Sequence, residues 1–356
     1  MPSLSYRQPG LVLRREGTQG TREQVRDLQR DLRRLGYLRS GLDGMFGEKT
    51  ELAVKALQYD LLSKMDRDNG APVDIIEYNK GRVVDFNGIC DVHLAECISD
   101  ILDDQAYPLL PRVADPKAEN ARIAGEIASL ASREAPAPFV TAILTQESGL
   151  RHFHEPNVAS GDEDTYVTVG LDTNANQQYI ITSRGYGAGQ YTLDHHPPTG
   201  MEVDDFMLDV GKNVSKAFAV LREKFDCFVN GNTSGTRADD RQAEIGSGPL
   251  RLCKYEPSDA RYLRDCVRCL QAAGTRAIIM ETTRLHARTD AVFVQTQGYS
   301  EVEAYENVPK REEIGCDWPY AMRRYNGSGV KSYHYQTLVL LFLSKLPELD
   351  LPALDD

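Results

Sequence analysis

The chain has 356 residues, of which 41% are hydrophobic and 26% are charged, as is usual for a soluble globular protein. Its formal net charge of −12 argues against nucleic acid as the main partner, because a nucleic-acid-binding surface must neutralise phosphates. No apolar run approaches the roughly 20 residues of a membrane-spanning helix, so we expect no membrane association. The length predicts two domains, with room for a third.

The N-terminus and the cysteines predict synthesis in a reducing compartment. The first ten residues, MPSLSYRQPG, have no apolar stretch, so we expect no secretory signal peptide and synthesis in the cytoplasm. Seven cysteines cannot all pair within one chain. One interpretation is a zinc site, whose candidate ligands are Cys253, Cys266 and Cys269 with Cys227, Cys316 or His286. We favour buried thiols instead, and we expect no metal and no cofactor.

Residues 11 to about 62 predict a small helical module. Its first apolar stripe ends at Gly36 and consists of Val25, Leu28, Leu32 and Leu35. Asp43-Gly44 predicts a turn, and Gly47 permits a tight entry to a second helix, whose buried side comprises Ala53, Val54 and Leu57. Segment 70–102 completes or elaborates this module, with a third helix indicated by Val92, Ala95 and Ile98.

The order of residues from Val25 to Gln58 resembles the peptidoglycan-binding domain found at the ends of many cell-wall hydrolases. The other matching positions are Leu28, Gln29, Leu32, Leu35, Gly36, Tyr37, Asp43, Gly44, Phe46, Gly47, Thr50, Ala53 and Val54. The resemblance implies a three-helix domain over residues 11–105 that binds muropeptides, with Tyr37, Asp43 and Phe46 as candidate wall-binding residues. The structural alternative is that Asp43 shapes the loop and that Phe46 belongs to the core.

A linker over residues 106–117, punctuated by prolines, separates this module from a predicted second domain over 118–350. Residues 118–133 predict an amphipathic helix. The following helix begins near Pro136 and Pro138, because proline's missing N–H costs nothing in a first helical turn. Its buried face is formed by Phe139, Val140, Ile143 and Leu144.

Glu147 continues the apolar face of that helix, and Gly149 predicts its end. A carboxylate in this position is costly to ionise, so we expect it to retain its proton near neutral pH. A protonated carboxylic acid is what the protonation of a glycosidic oxygen requires. The alternative is a glutamate that turns to solvent in the last turn of its helix.

Two later stretches carry further candidates. Residues 165–171 predict a strand, and Gly185, Gly187 and Gly189 then predict a loop whose backbone can approach a ligand closely. Gln190 offers an amide to sugar hydroxyls, although the same glycines also fit a plain loop. An amphipathic helix is predicted over 212–228. Near the C-terminus, Tyr325 and Asn326 lie in a glycine-bounded turn, where they could bind saccharide or form a tight turn and a core aromatic.

The three stretches together resemble the lytic transglycosylases and bacterial or phage muramidases of the lysozyme-like superfamily. Their motifs are a Glu-Ser pair, a Gly-x-x-Gln and a Tyr-Asn-x-Gly. The resemblance implies that Glu147 is the general acid, that Ser148 orders the cleft and that Tyr325 orients Glu147. Substrate-binding and turn-supporting roles are implied for Gly189, Gln190 and Asn326. The third motif departs from the pattern, because Gly327 and Gly329 both fit its glycine, and residues 230–315 have no assigned role.

Two mechanisms remain open. A hydrolase needs a second carboxylate roughly 5 Å from the first for retention, or roughly 6.5–9.5 Å for inversion. Asp172, just after the predicted strand, is the preferred second acid over the acidic loop Asp162-Glu163-Asp164, which fits a solvated surface. Thr192 is a further candidate for positioning water. A transglycosylase needs only the acid, because the substrate's own hydroxyl attacks.

We therefore expect a mainly α protein, in which a small peptidoglycan-binding domain precedes an α+β lysozyme-like domain with a small β region. Its expected substrate is the glycan strand of peptidoglycan. Release by a phage holin, as for an endolysin, or delivery by a contractile secretion apparatus both fit, and an immunity protein follows only from the second. The competing classes are a wall-binding or structural protein without activity and a chitinase-like enzyme.

Overall fold

The computed structural model describes residues 4–39, 41–131, 137–157 and 162–225, together with Tyr325, Tyr335, Val339 and Phe342. The chain forms two compact units. The first unit comprises Met1–Arg122 and Arg151–Asn213, and the second comprises Ile123–Leu150 and Val214–Asp356. These units follow different boundaries from the linear division into 11–105, 106–117 and 118–350, because the small sheet belongs to the same unit as the N-terminal helices.

The described residues are rich in helix, which agrees with the predicted fold class. The helices are α1 (Arg22–Arg34), α2 (Glu48–Ser63), α3 (Val92–Asp103), α4 (Pro116–Leu130), α5 (Ala137–Ser148), α6 (Gly200–Glu202) and α7 (Val210–Phe225). Short 3₁₀ turns occur at Arg67–Asn69 and Ile75–Tyr78, and a π-helical turn, Val203–Met207, follows α6. None of the helices in these parts of the chain is long and apolar enough to cross a membrane.

One antiparallel sheet of three strands is described, in the order β1 (Val169–Thr173), β2 (Ile181–Tyr186) and β3 (Tyr191–Leu193). Gly170 lies opposite Gly185, and Gly185 lies opposite Thr192. The predicted strand over 165–171 is thus displaced by several residues, although Tyr166 and Val167 form isolated bridges with Arg112 and Phe153. The predicted glycine loop is a hairpin instead, since its first residues belong to β2.

The N-terminal helices form as their sequence patterns predict. Thr21 caps α1 in a reciprocal capping box with Gln24, and Gly36 follows the helix with φ +78°. The predicted stripes of α1 and α2 are fully buried, as are Leu94 and Ile98 of α3. Burial of one such leucine contributes roughly 1.5–3 kcal/mol to stability. These residues share one core, to which strand β2 contributes Ile181.

The turn between α1 and α2 is held by Gln29, whose side chain is buried. Its Nε2 lies 2.9 Å from Asp43 Oδ1 and 3.0 Å from Thr50 Oγ1, and its Oε1 accepts the N–H of Gly44 at 2.9 Å. Gly44 has φ +68°, and a Cβ there would come within 2.5 Å of the Arg22 carbonyl oxygen. The turn therefore requires both the amide and the glycine.

Two buried arginines tie the sheet region to the N-terminal helices. Arg184 of β2 donates to the Gly36 carbonyl at 3.0 Å and pairs with Asp60 of α2 at 3.5 Å. Arg33 of α1 lies 3.3 Å from both Asp162 and Asp164. The acidic loop is therefore not simply a solvated surface, because Asp164 is only 6% exposed and the positive charge of Arg33 faces it.

Helix α5 of the second unit matches its predicted pattern. Phe139, Val140, Ile143 and Leu144 are all buried. The helix ends at Ser148, and Gly149 takes φ +66° while its N–H donates to the Thr145 carbonyl at 2.9 Å. The predicted helix end is therefore confirmed, and Glu147 lies in the last turn.

Candidate functional site

Glu147 is half-buried at the end of α5, where it accepts a hydrogen bond from a tyrosine. Tyr335 Oη donates to Glu147 Oε1 at 2.6 Å. Burial, together with the negative charge of Glu147, raises the pKa of Tyr335 well above its ordinary value, and the same causes raise the pKa of Tyr325. Both phenol groups therefore stay protonated, and able to donate a hydrogen bond, across the physiological pH range. The sequence pattern indicated Tyr325 near the acid, and Tyr335 is a second tyrosine, which the pattern did not indicate.

Ser148, the second residue of the predicted Glu-Ser pair, binds back to its own helix. Its Oγ donates to the Leu144 carbonyl at 3.0 Å. Serine commonly makes this bond in helices, and it consumes the hydroxyl proton. This geometry fits an ordering role in the last turn of α5.

The hairpin turn between β2 and β3 is fixed by two buried side chains of the first unit. His152 Nδ1 accepts the Ala188 N–H at 3.2 Å, and its Nε2 donates to the Met207 carbonyl at 3.0 Å. Asn213 Oδ1 accepts the Gly189 N–H at 2.8 Å. Burial lowers the pKa of His152 to about 4, so this histidine is neutral near pH 7.

The backbone N–H groups of this turn are hydrogen-bonded within the protein. Gly187 donates to the Thr168 carbonyl at 2.9 Å, and the next two N–H groups are bound by His152 and Asn213. Gly189 is buried. Its backbone N–H is paired with Asn213 within the protein, and its approach to a substrate stays a prediction.

Gln190 is held in a defined position by the same turn. It adopts φ +50°, an uncommon conformation for a residue other than glycine, and its Nε2 donates to the Gly187 carbonyl at 2.8 Å. Its side chain lies over Gly170 and Gly185, where a Cβ at Gly170 would clash with Gln190 Oε1. The glycines thus make room for the amide, which stays partly exposed.

Three of the predicted site residues share one face of the sheet. Residues opposite each other in an antiparallel pair point to the same side. Thr192 lies opposite Gly185, beneath Gln190, and Asp172 lies two residues beyond Gly170. Asp172 is exposed and accepts a hydrogen bond from Ser183 at 2.9 Å, and the exposed Thr192 donates to the Gln190 carbonyl at 3.1 Å.

The candidate wall-binding residues have mainly structural positions. Tyr37 is 1% exposed and donates to Asp60 at 2.8 Å, and Phe46 is 7% exposed within the core. Asp43 accepts from Gln29 and from the Met45 N–H within the turn. The side chains of Tyr37 and Phe46 therefore help to hold the domain together.

A groove of about 480 Å³ lies beside α2 within the first unit. The N-terminal module contributes Tyr37, Leu38, Arg39, Lys49, Leu52, Ala53 and Ala56, and the β1–β2 hairpin contributes Leu171, Thr173, Gln178 and Ile181. Its volume falls within the range of small-ligand sites. No pattern in the sequence indicates it, because its two walls are distant from each other along the chain.

Some predicted residues lie outside the described parts of the chain. They are Asn326, both candidate glycines of the third motif and the cysteines considered for zinc. In the parts that are described, Cys90 and Cys97 are buried and form no disulfide, and burial raises the pKa of both thiols. No cluster of metal-ligating side chains occurs among those same residues.

A family model for a peptidoglycan binding domain matches residues 21–61. This segment contains α1, the turn held by Gln29 and most of α2. The chain therefore carries an N-terminal peptidoglycan-binding domain, which supports association with the cell wall and fits peptidoglycan as a partner. No curated protein and no solved structure matches the chain.

Proposed function

We propose that this protein is a peptidoglycan-degrading glycosidase with a lysozyme-like catalytic domain. It would cleave the β-1,4 bond between N-acetylmuramic acid and N-acetylglucosamine, with Glu147 as the general acid. The observation that carries the proposal is the 2.6 Å hydrogen bond from Tyr335 Oη to Glu147 Oε1 in the last turn of α5. A second support is the peptidoglycan-binding domain at residues 21–61, which points to the same polymer.

The geometry suits proton donation to a glycosidic oxygen. In this proposal Tyr335 donates to Oε1, and the Glu147 carboxyl group gives its proton to the glycosidic oxygen. After transfer, the Tyr335 hydroxyl donates to a carboxylate instead of a neutral acid, and such charge-assisted bonds are the stronger ones. The same tyrosine thus holds the carboxyl group in one orientation before the reaction and stabilises the anion afterwards. We assign to Tyr335 the positioning role that the motif resemblance implies for Tyr325.

Glycosidic cleavage from this acid can end in two ways. A hydrolase would add water with help from a second carboxylate, for which Asp172 remains the candidate, or from a water positioned by Thr192. A transglycosylase would use the muramic acid's own 6-hydroxyl and release a 1,6-anhydro end. Gln190, whose amide is fixed by the hairpin turn, is the proposed substrate contact from the sheet.

Dye release from labelled sacculi tests the activity directly. Wild type should solubilise the label, and Glu147→Gln should lower the rate by roughly a hundredfold or more, because an amide cannot donate the proton. Glu119→Gln in α4 is the matched control, since Glu119 pairs with Arg122 at the surface. Equal rates for wild type and Glu147→Gln would contradict the proposal. Absence of release by wild type would favour a wall-binding protein without activity.

A further inference from the structure

We propose that the groove beside α2 binds the stem peptide of a muropeptide, and that an adjoining aromatic cluster receives the attached sugar. The inference rests on the proposed association with peptidoglycan and names the site that would carry it. The groove has an apolar floor and two cationic side chains in its lining, and an aromatic cluster adjoins it along the chain. Each of these features matches one part of that ligand.

The floor of the groove is apolar and built largely from short side chains. Ala53 and Ala56 of α2 are each 3% exposed, and Leu38 and Ile181 close the base at 3% and 5%. Alanine side chains along a helix leave room for a ligand to approach the helix surface closely. The peptide of peptidoglycan is rich in alanine, so its methyl groups can pack on this floor without displacing large residues.

Two cationic residues, Arg39 and Lys49, line the groove, and both are exposed. None of the described residues that line the groove is acidic. This local balance contrasts with the formal net charge of −12 for the whole chain. Stem peptides carry several carboxylates, and a locally cationic groove on an acidic protein attracts such a ligand in a defined orientation.

Three aromatic residues, namely Tyr59, Phe86 and Tyr179, are here called the aromatic cluster, and two of them, Tyr59 and Tyr179, adjoin the groove lining in sequence. Phe86 stacks on Tyr179 with centroids 5.0 Å apart, and Tyr59 meets both rings edge-on at 5.8 and 5.7 Å. Phe86 is 41% exposed, so part of a ring face is open to solvent. Such a surface suits the C–H face of a sugar ring, while the phenol groups can bind hydroxyls.

Lys49 and Tyr59 of the aromatic cluster lie along one helix. Tyr59 follows Ala56 by about one turn of α2, and Lys49 precedes Tyr59 by about ten residues, or about 15 Å of helix. Tyr179 likewise follows Gln178 of the groove wall. A ligand with its sugar on the aromatic cluster can therefore extend its peptide along the groove toward Lys49.

The hairpin makes the binding site composite. Residues 21–61 supply the α2 wall, but Leu171, Thr173, Gln178 and Tyr179 come from β1 and the segment that follows it. The segment matched by the family model thus forms only one side of the groove. Affinity for a muropeptide should depend on the β1–β2 hairpin as well as on the helices.

The test is calorimetric titration of the full chain, carrying Glu147→Gln to prevent turnover, with a disaccharide tetrapeptide. Replacing Arg39 and Lys49 together by glutamine should raise Kd by about tenfold or more for this ligand and leave Kd for the bare disaccharide within about twofold. Phe86→Ala should weaken both ligands by about fivefold or more. Thr173→Trp, at an exposed rim position, should block the groove and abolish peptide-dependent binding.

Matched controls are Lys117→Gln, which removes an exposed cation elsewhere, and Met201→Ala, which removes a side chain that is 73% exposed. If the Kd values were unchanged in all groove variants while the protein still sedimented with sacculi, the proposed role of the groove alone would be overturned. Equal affinity for a neutral chitin oligosaccharide would also overturn it, because Arg39 and Lys49 would then have no role. Loss of sedimentation in the Glu147→Gln parent would overturn both the groove and the proposed wall function.

Discussion

At the scale of single residues, the proposed chemistry depends on which tyrosine contacts Glu147. Both Tyr325 and Tyr335 are close enough for the carboxylate to influence their pKa values, but the hydrogen bond at 2.6 Å belongs to Tyr335. Sequence motifs could indicate a tyrosine near the acid. They could not choose between the two tyrosines, because that choice depends on a contact across 188 positions of the chain.

Tyr335→Phe should therefore lower kcat for sacculus cleavage by about 10- to 100-fold, since a hydrogen bond to a charged group contributes about 1.5–3 kcal/mol. KM should stay within about twofold, because the lost hydroxyl holds the acid and not the substrate. Steady-state rates on a soluble glycan chain measure both parameters. Tyr325→Phe is the matched control with a smaller effect. A larger kcat loss for Tyr325→Phe would contradict the assignment of the positioning role.

The hairpin turn requires a glycine at the position of Gly187. It adopts φ +72°, and a Cβ would clash with His152 and come within 2.6 Å of Asn213 Nδ2. Gly187→Ala should reduce the free energy of unfolding by about 2–4 kcal/mol, measured by urea denaturation. Gly200→Ala is the control, since no atom lies within 4 Å of the position that a Cβ would take there. Equal stability of the two variants would contradict this account of the turn.

His152 gives the first unit a pH dependence of defined sign. Burial lowers the pKa of His152 to about 4 in the folded state, against about 6.5 in the unfolded chain. Between these values the unfolded state binds the extra proton, so stability falls as the pH falls from about 6.5 to 4. The contribution of this histidine is about 3 kcal/mol over that interval.

Other groups act in the opposite direction, so the effect must be measured as a difference. Burial raises the pKa of Asp31 to about 6. The contribution of that carboxyl group to the free energy of unfolding therefore decreases as the pH rises toward this value. Denaturation of wild type and His152→Gln at several pH values isolates the histidine. The free energy of unfolding of wild type, relative to that of His152→Gln, should fall by about 3 kcal/mol from about pH 7 to pH 4. A constant difference would contradict a buried neutral imidazole.

At the scale of elements, the helices could be predicted from local patterns, whereas the sheet could not. The stripe from Val25 to Leu35 and the face from Phe139 to Leu144 have the helical period, and the apolar residues of both are buried. The hairpin instead depends on Gly187 and Gln190 in left-handed conformations and on His152 and Asn213 from elsewhere in the chain. Such contacts leave no periodic signal, and for the same reason the groove could not be predicted.

Arg184 connects strand β2 to α2 through a buried pair with Asp60. Arg184→Gln should cost about 3–5 kcal/mol in the free energy of unfolding, because it leaves a buried carboxylate without its cation. The double variant Arg184→Met, Asp60→Leu should recover most of that loss, since it removes both charges. Thermal and urea unfolding of the single and double variants measure the difference. If the loss in the free energy of unfolding of the double variant equalled the sum of the losses of its two single variants, a direct pairing would be contradicted.

At the scale of the whole molecule, the compact units do not follow the order of the chain. The peptidoglycan-binding segment at 21–61 shares its unit with the sheet that carries Asp172 and Thr192, whereas Glu147 and Tyr335 belong to the other unit. Composition and helical periodicity could predict a helix-rich protein, and the resemblance of residues 25–58 to a known domain could predict the wall-binding module. They could not predict this division, because it depends on buried partners such as Arg184 and its carboxylate.

The measurement that tests the central claim most directly is mass spectrometry of the products from purified sacculi treated with wild type or Glu147→Gln. We predict new muramic acid ends with wild type and none with the variant. Reducing ends would identify a hydrolase, and 1,6-anhydro ends would identify a transglycosylase. Identical products from the two proteins, or intact glycan strands after wild-type treatment, would contradict the assignment of Glu147 as the acid of a glycosidase.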